Sequence, residues 1–166
     1  MIIREIKASD AEKFAKLPPQ VEASSEYMLW EAGERNIQIE QQLKMIKRIE
    51  QKENSTILVA EKDNNELVGF LMAVGGNAKR NKHSAYIVIG ILKGHRGKGI
   101  GTKLFEGLEQ WAFNHNIHRL ELTVVTRNKA GLSLYKKMGF EIEGTKRHSL
   151  FIDGEFVDEY DMSKLL

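Results

Sequence analysis

The sequence predicts an α/β protein of the α+β kind, a mixed sheet carrying helices on its faces. Three observations predict it. Short β-rich runs alternate with segments of helical periodicity along the 166 residues. The most apolar run, Ser84–Leu92, passes through a glycine-rich turn into the most amphipathic stretch, Lys98–Asn114. Two long β-type runs close the chain and meet at Asp153-Gly154, a tight-hairpin signal.

Ile2–Ile6 is short and β-rich and reads as a first strand. Ser9 is placed to N-cap a helix running to about Leu17, with Glu12 completing a capping box, and Pro18-Pro19 ends it. Gln20–Asn36 has no clear period. Ile37–Lys52 carries Ile39, Leu43, Ile46 and Ile49 at helical spacing. Thr56–Glu61 and Glu66–Val74 read as strands around Asp63-Asn64-Asn65, and Gly75–Lys82 as a polar loop. Ser84–Leu92 is expected to be buried on both faces. Lys98–Asn114 is a helix with Ile100, Leu104, Phe105, Leu108, Trp111 and Ala112 on one face. Arg119–Val125 is a strand. Asn128 caps a helix ending near Met138, with Gly139 at its C′ position. Phe140–Ile152 and Phe156–Met162 are the final strands. The predicted order is β-α-α-β-β-β-α-β-α-β-β.

Hydrophobic residues make up 42% and charged residues 29%, enough for a buried core in one domain over residues 1–166. The chain has no cysteine, which excludes disulfides, thiolate nucleophiles and iron–sulfur clusters. No apolar run approaches the ~18 residues of a membrane span, and Met1–Asp10 lacks a secretory pattern. These features lead us to expect a soluble cytoplasmic protein. His83, His95, His115, His118 and His148 form no metal-binding spacing, so no metal is expected. The net charge of +2 is unevenly spread. Leu67–Phe105 holds seven basic residues and no acid: Lys79, Arg80, Lys82, Lys93, Arg96, Lys98 and Lys103. Glu22–Glu40 holds five glutamates against Arg35, and Asp153–Asp161 holds five acids and no base. The pattern suggests an anion site in the middle of the chain and a cation site on the acidic flanks.

Five of the fourteen glycines lie in Gly90–Gly101. Strand, glycine-rich turn, helix N-terminus is a physical anion trap, because small residues let backbone N–H groups approach an oxyanion and the helix dipole favours negative charge. A Walker loop fails here, since Leu92 and Gly99 stand where Gly and Ser/Thr are needed. The dinucleotide fingerprint fails at Thr102 and Leu104. Arg96-Gly97-Lys98-Gly99-Ile100-Gly101 fits R-x-x-G-x-G, and Asn128–Phe140 fits N-x-x-A/G-x-x-x-Y-x-x-x-G-F. With these segments the chain resembles the GNAT superfamily of acetyl-CoA-dependent N-acetyltransferases. The resemblance covers essentially the whole chain and is strongest over Ser84–Gly144.

The resemblance implies a mostly antiparallel central sheet of about seven strands with about four helices. It implies acetyl-CoA as acetyl donor and an amine acceptor, with direct transfer. Backbone amides from Gly97 to Gly101, including Gly99 and Ile100, would hold the pyrophosphate, reinforced by Arg96 and Lys98. Ile91, Leu92 and Lys93 would pair with the pantetheine arm, the Ile91 amide facing the thioester carbonyl. Tyr135 would be the general acid, arriving protonated with an ordinary pKa of ~10. Its alternative is a core tyrosine. Asn128 would contact the coenzyme or only cap its helix. Members of the family use a strand glutamate as base, and Ser84–Leu92 has none, so Glu31 and Glu34 stand in as candidates. His148 is a candidate for lining the acceptor pocket. The run Gly144–Met162 looks like the branch of ribosomal-protein and spermidine acetyltransferases, which implies a small amine, a polyamine or a protein amino group. The rival readings are a non-catalytic acetyl-CoA sensor of the same fold, a nucleotide-phosphate enzyme, and a nucleic-acid binder using residues 79–103. That last segment has Tyr86 as its one aromatic, so no base-stacking platform is visible and no nucleic acid is expected. Exposed final strands would permit a homodimer by sheet pairing.

Overall fold

The computed structural model describes residues 1–166. Its elements are β1 (Ile2–Glu5), α1 (Ala11–Ala23), α2 (Ile39–Glu50), β2 (Thr56–Glu61), β3 (Leu67–Gly75), β4 (Ser84–Ile91), α3 (Ile100–Asn114), β5 (Arg119–Val125), α4 (Lys129–Lys137), β6 (Glu141–Ile152) and β7 (Glu155–Leu165). The strands form one seven-stranded sheet in the order β1-β2-β3-β4-β5-β7-β6. Every pairing is antiparallel except β4 with β5. The predicted element order and sheet character are those observed, and no helix is long and apolar enough to cross a membrane.

Side-chain alternation along the central strands builds a core on each face. On β2, Ile57 and Val59 face α1 and α2, joining Phe14, Leu17, Val21 and Ile46. Leu58 and Ala60 face the other way, joining Leu104, Phe105 and Leu108 of α3. The terminal hairpin turns at Asp153 and Gly154, with φ of 51° and 80°, the left-handed pair a two-residue hairpin requires.

Three local expectations are corrected. Helical winding begins in a 3-10 turn at Ala8–Asp10, so Ser9 is no N-cap and Glu12 closes no capping box. Asp10 closes the turn, its Oδ2 accepting from the Lys7 N–H at 2.8 Å. Second, α1 runs through Pro18-Pro19 to Ala23. Pro18 deprives the Phe14 carbonyl of its helical donor, and the buried Gln42 side chain of α2 supplies one, Nε2 donating to Phe14 O at 3.2 Å. Third, β4 is not buried on both faces. Ala85 and Ile87 are buried, whereas Tyr86 and Val88 are 39% and 38% exposed. They border a cleft.

Candidate active site

The cleft arises where the sheet comes apart. β4 and β5 pair only over Ser84–Tyr86 and Arg119–Glu121. Beyond that they diverge, while β4 stays bonded to β3 up to Ile91 and β5 to β7 up to Val125. The Tyr86 hydroxyl and Thr123 Oγ1 bridge the strands at 2.8 Å, where they begin to part. The resulting cleft has a volume of about 1550 Å³ and reaches from the glycine-rich turn to the α1–α2 loop and the β6–β7 hairpin.

Backbone polarity decides which β4 groups face the wedge. The Leu92 N–H donates to Val68 O of β3 at 2.9 Å. Alternation then turns Ile89 and Ile91 toward β5, where no strand meets them. The Ile91 carbonyl is taken by Arg96 Nε at 3.0 Å. The wedge therefore offers the N–H groups of Ile89 and Ile91 and the carbonyl of Ile89. Leu92 is corrected as a backbone partner for a ligand: its N–H serves β3 and its carbonyl accepts from His95 N at 2.8 Å. Ile89 was missed because strand phase is invisible until one hydrogen bond sets it.

The turn after β4 has the geometry of an anion site. Gly97 and Gly99 have φ of 72° and 81°, the left-handed region that favours glycine. Gly99 N-caps α3, and the first helical bond is Lys103 N to Gly99 O. The N–H groups of Ile100, Gly101 and Thr102 are thus unpaired within the helix and point out of its positive end. Ile91, Lys93, Arg96, Gly97, Gly99, Ile100 and Gly101 line the cleft; Lys98 and Leu92 do not. Arg96 also ties the turn to α1, Nη1 donating to Ser24 O at 3.2 Å. The basic middle segment does not gather at one site. Lys79, Arg80 and Lys82 precede β4 at its other end, roughly 25 Å away along the strand. A cation that sequence spacing missed is Lys137, which lines the cleft and donates to Thr102 Oγ1 at 3.3 Å.

On the opposite wall, Asn128 Oδ1 accepts from Gly131 N at 3.0 Å and caps α4 while still lining the cleft. Tyr135 lines the cleft from α4. Its ring meets Phe105 edge-on at 5.9 Å and lies 6.3 Å from Phe140. Burial, and to a lesser degree the nearby Tyr86 phenol, push its pKa up to about 12. Its phenol stays protonated across the neutral range.

The acidic flanks are not gathered as expected. Glu31 and Glu34 are exposed and absent from the cleft wall; the Glu34 carboxylate accepts from the Glu31 N–H at 2.9 Å. This corrects both as cleft bases. His148 is exposed and stacks on Phe156 at 5.5 Å, outside the cleft, where β6 bulges between Lys146 and Leu150. The cleft carboxylates are Glu22, Glu26 and Glu159, and Arg35, Arg48 and Lys146 also line the cleft. Glu22 is buried and paired with Arg35. Glu159 is half-buried, sits opposite Lys146 in the β6–β7 register and has no ion pair.

A wedge-shaped opening ending in a glycine turn and a helix N-terminus suits a long thin ligand with a phosphate group at one end. Comparison with known proteins gives the same fold a family. The acetyltransferase (GNAT) family model matches residues 21–140. The L-amino acid N-acetyltransferase AaaT of Escherichia coli (strain K12) is 32% identical over 101 residues, 60% of this chain and 62% of that protein. The crystal structure of a GNAT-family acetyltransferase from Streptococcus pneumoniae superposes with a TM-score of 0.95 at 29% identity, covering 99% of this chain and 98% of that one. A phosphinothricin acetyltransferase from Sinorhizobium meliloti, solved in complex with acetyl-CoA, shares the fold at 17% identity, with a TM-score of 0.86 over 99% of this chain and 88% of that one. The family match and the parted strands lead to one conclusion: this chain belongs to the GNAT family of acetyltransferases.

Proposed function

We propose that the protein moves the acetyl group of acetyl-CoA directly onto a primary amine. The observation that carries this reading is the β4–β5 wedge, whose free Ile89 and Ile91 amides continue into the unpaired N–H groups at the start of α3. The residues fit the donor. The pyrophosphate goes to the amides of Gly97–Gly101, with Lys93, Arg96 and Lys137 beside them. The pantetheine arm adds to the free side of β4 as an extra strand would. One of the Ile89 and Ile91 amides then donates to the thioester carbonyl, where negative charge develops during attack.

The neutral amine attacks the carbonyl carbon, the C–S bond breaks, the departing thiolate takes a proton from Tyr135, and the proton that the new amide nitrogen sheds passes through solvent to restore the Tyr135 phenol. An alkyl ammonium of pKa ~10.4 is about one part in a thousand neutral at pH 7, so a proton acceptor accelerates the step. Glu159 fills that role, being the half-buried cleft carboxylate without an ion pair. The test is an amine-panel assay that follows released coenzyme A thiol and identifies the N-acetyl product by mass. Acetyl-CoA-dependent thiol release matched by acetylated amine is expected. Tight acetyl-CoA binding with no acetylated product would make the protein a coenzyme-binding sensor instead.

A further inference from the structure

Within the acceptor half of the cleft, one side chain is poised for a ligand that the catalytic steps do not use. Arg35 enters the cleft wall from the α1–α2 loop. Its Nη2 is committed to Glu22, whose side chain is only 1% exposed. Its Nε is buried and has no hydrogen-bond partner. The guanidinium lies 5.2 Å from the centroid of the Trp30 ring. Glu22 therefore anchors one arm, with the Trp30 ring beside the guanidinium. A buried N–H donor without an acceptor costs free energy until one reaches it. A guanidinium fork fixed in this way matches the planar pair of oxygens of a carboxylate.

The surroundings select the same class of ligand. Met28, Met45 and Met72 are half-buried beside the loop and present an apolar wall. The carboxylates Glu22, Glu26 and Glu159 are matched in number by Arg35, Arg48 and Lys146, so this half carries no excess negative charge to draw a polycation. Arg48, which also lines this half, makes no ion pair.

We infer that the acceptor is an amino acid with an apolar side chain and that Arg35 reads its carboxylate, turning the amine toward the wedge. This rests on the acetyl-transfer reading for its amine end, whereas the carboxylate site stands on geometry alone. The acceptor thus differs from the polyamine that the acidic flanks suggested.

The test compares leucine, leucinamide and spermidine as acceptors under saturating acetyl-CoA. Leucine is expected to exceed leucinamide by about tenfold or more in kcat/KM, the scale of losing one hydrogen bond between charged groups. Arg35→Lys keeps a positive charge for Glu22 but removes the fork, so the leucine-to-leucinamide ratio should fall toward one while acetyl-CoA affinity stays. A merely structural Arg35 would lower both activities and leave their ratio intact. Equal use of leucinamide, or preference for spermidine, would overturn the inference and leave acetyl transfer standing. A second arm titrates N-acetylleucine and N-acetylleucinamide calorimetrically in the presence of coenzyme A. Tighter binding of the acid that Arg35→Lys abolishes supports the site even where no amine is acetylated; equal or absent binding of the two overturns it.

Discussion

Alanine substitutions at three glycines of the β4–α3 turn separate backbone geometry from simple bulk. Gly94 has no positive φ, and a Cβ there would meet nothing within 4 Å. Gly97 and Gly99 are equally open, yet they hold φ of 72° and 81°. An L-residue in that region costs roughly 1–2 kcal/mol. If the mutant turn relaxes to a negative φ, ligand binding must restore the strained form, and affinity falls by about five- to thirtyfold. If it does not relax, the penalty appears in stability, a drop in Tm of roughly 2–8 °C for a chain of this size. Calorimetric titration of acetyl-CoA and a thermal melt on each variant share out the cost. Gly97→Ala and Gly99→Ala should each lose it in one measurement or split it between the two, and Gly94→Ala should match the parent in both. If Gly94→Ala weakens acetyl-CoA as much as the other two, or if they are silent, the turn does not bind through its backbone geometry.

Four further outcomes follow from the same contacts. Gln42→Leu removes the donor to Phe14 O and leaves a buried carbonyl orphaned, destabilising the fold by about 1–3 kcal/mol in denaturant titration. Tyr135 has a folded pKa raised to about 12 from 10.0. Its contribution is intact below pH 10 and is lost as pH rises toward 12, a fall of up to about 3 kcal/mol that Tyr135→Phe should abolish. The hydrogen bonds from Arg4, chiefly, and from the Lys7 N–H hold the Asp10 carboxyl below its usual range against the opposing effect of burial. Stability is therefore present above the ordinary carboxylate pKa and lost as pH falls through the depressed one, so Asp10→Asn should be less stable at neutral pH and show a shallower acid limb. Glu159→Gln should lower turnover roughly 10²-fold with acetyl-CoA affinity kept, and the deficit should shrink at high pH, where more of the amine is already neutral.

The glycine-rich turn and the capped α4 helix were legible because each is a local feature. Gly97 and Gly99 sit in a contiguous turn, and Asn128, Gly131 and Tyr135 recur at helical spacing on one short helix. Strand and helix order was legible for the same reason, since period and turn residues act over a few positions. What stayed hidden is made by distant pairs. Gln42 rescuing the Phe14 carbonyl lets α1 pass through two prolines, and neither residue hints at the other in sequence. Lys137 reaches Thr102 from another helix. Arg35 looked like one base among five glutamates, and only the fold assigns it to Glu22 and Trp30. Charge runs misled in the same way: Lys79, Arg80 and Lys82 share a segment with the turn but lie at the far end of β4, and Glu31 and Glu34 share a loop with Arg35 but face solvent.

Amide hydrogen exchange with and without acetyl-CoA tests the wedge most directly, because it reads the Ile89 and Ile91 amides that no strand pairs. Ile89 and Ile91 on β4 and the amides of Gly97–Thr102 should become protected when acetyl-CoA is added, while Gly90 and Leu92, which face β3, should change little. Protection that spares Ile89 and Ile91, or that appears at the Gly76–His83 end of β4 instead, would contradict it.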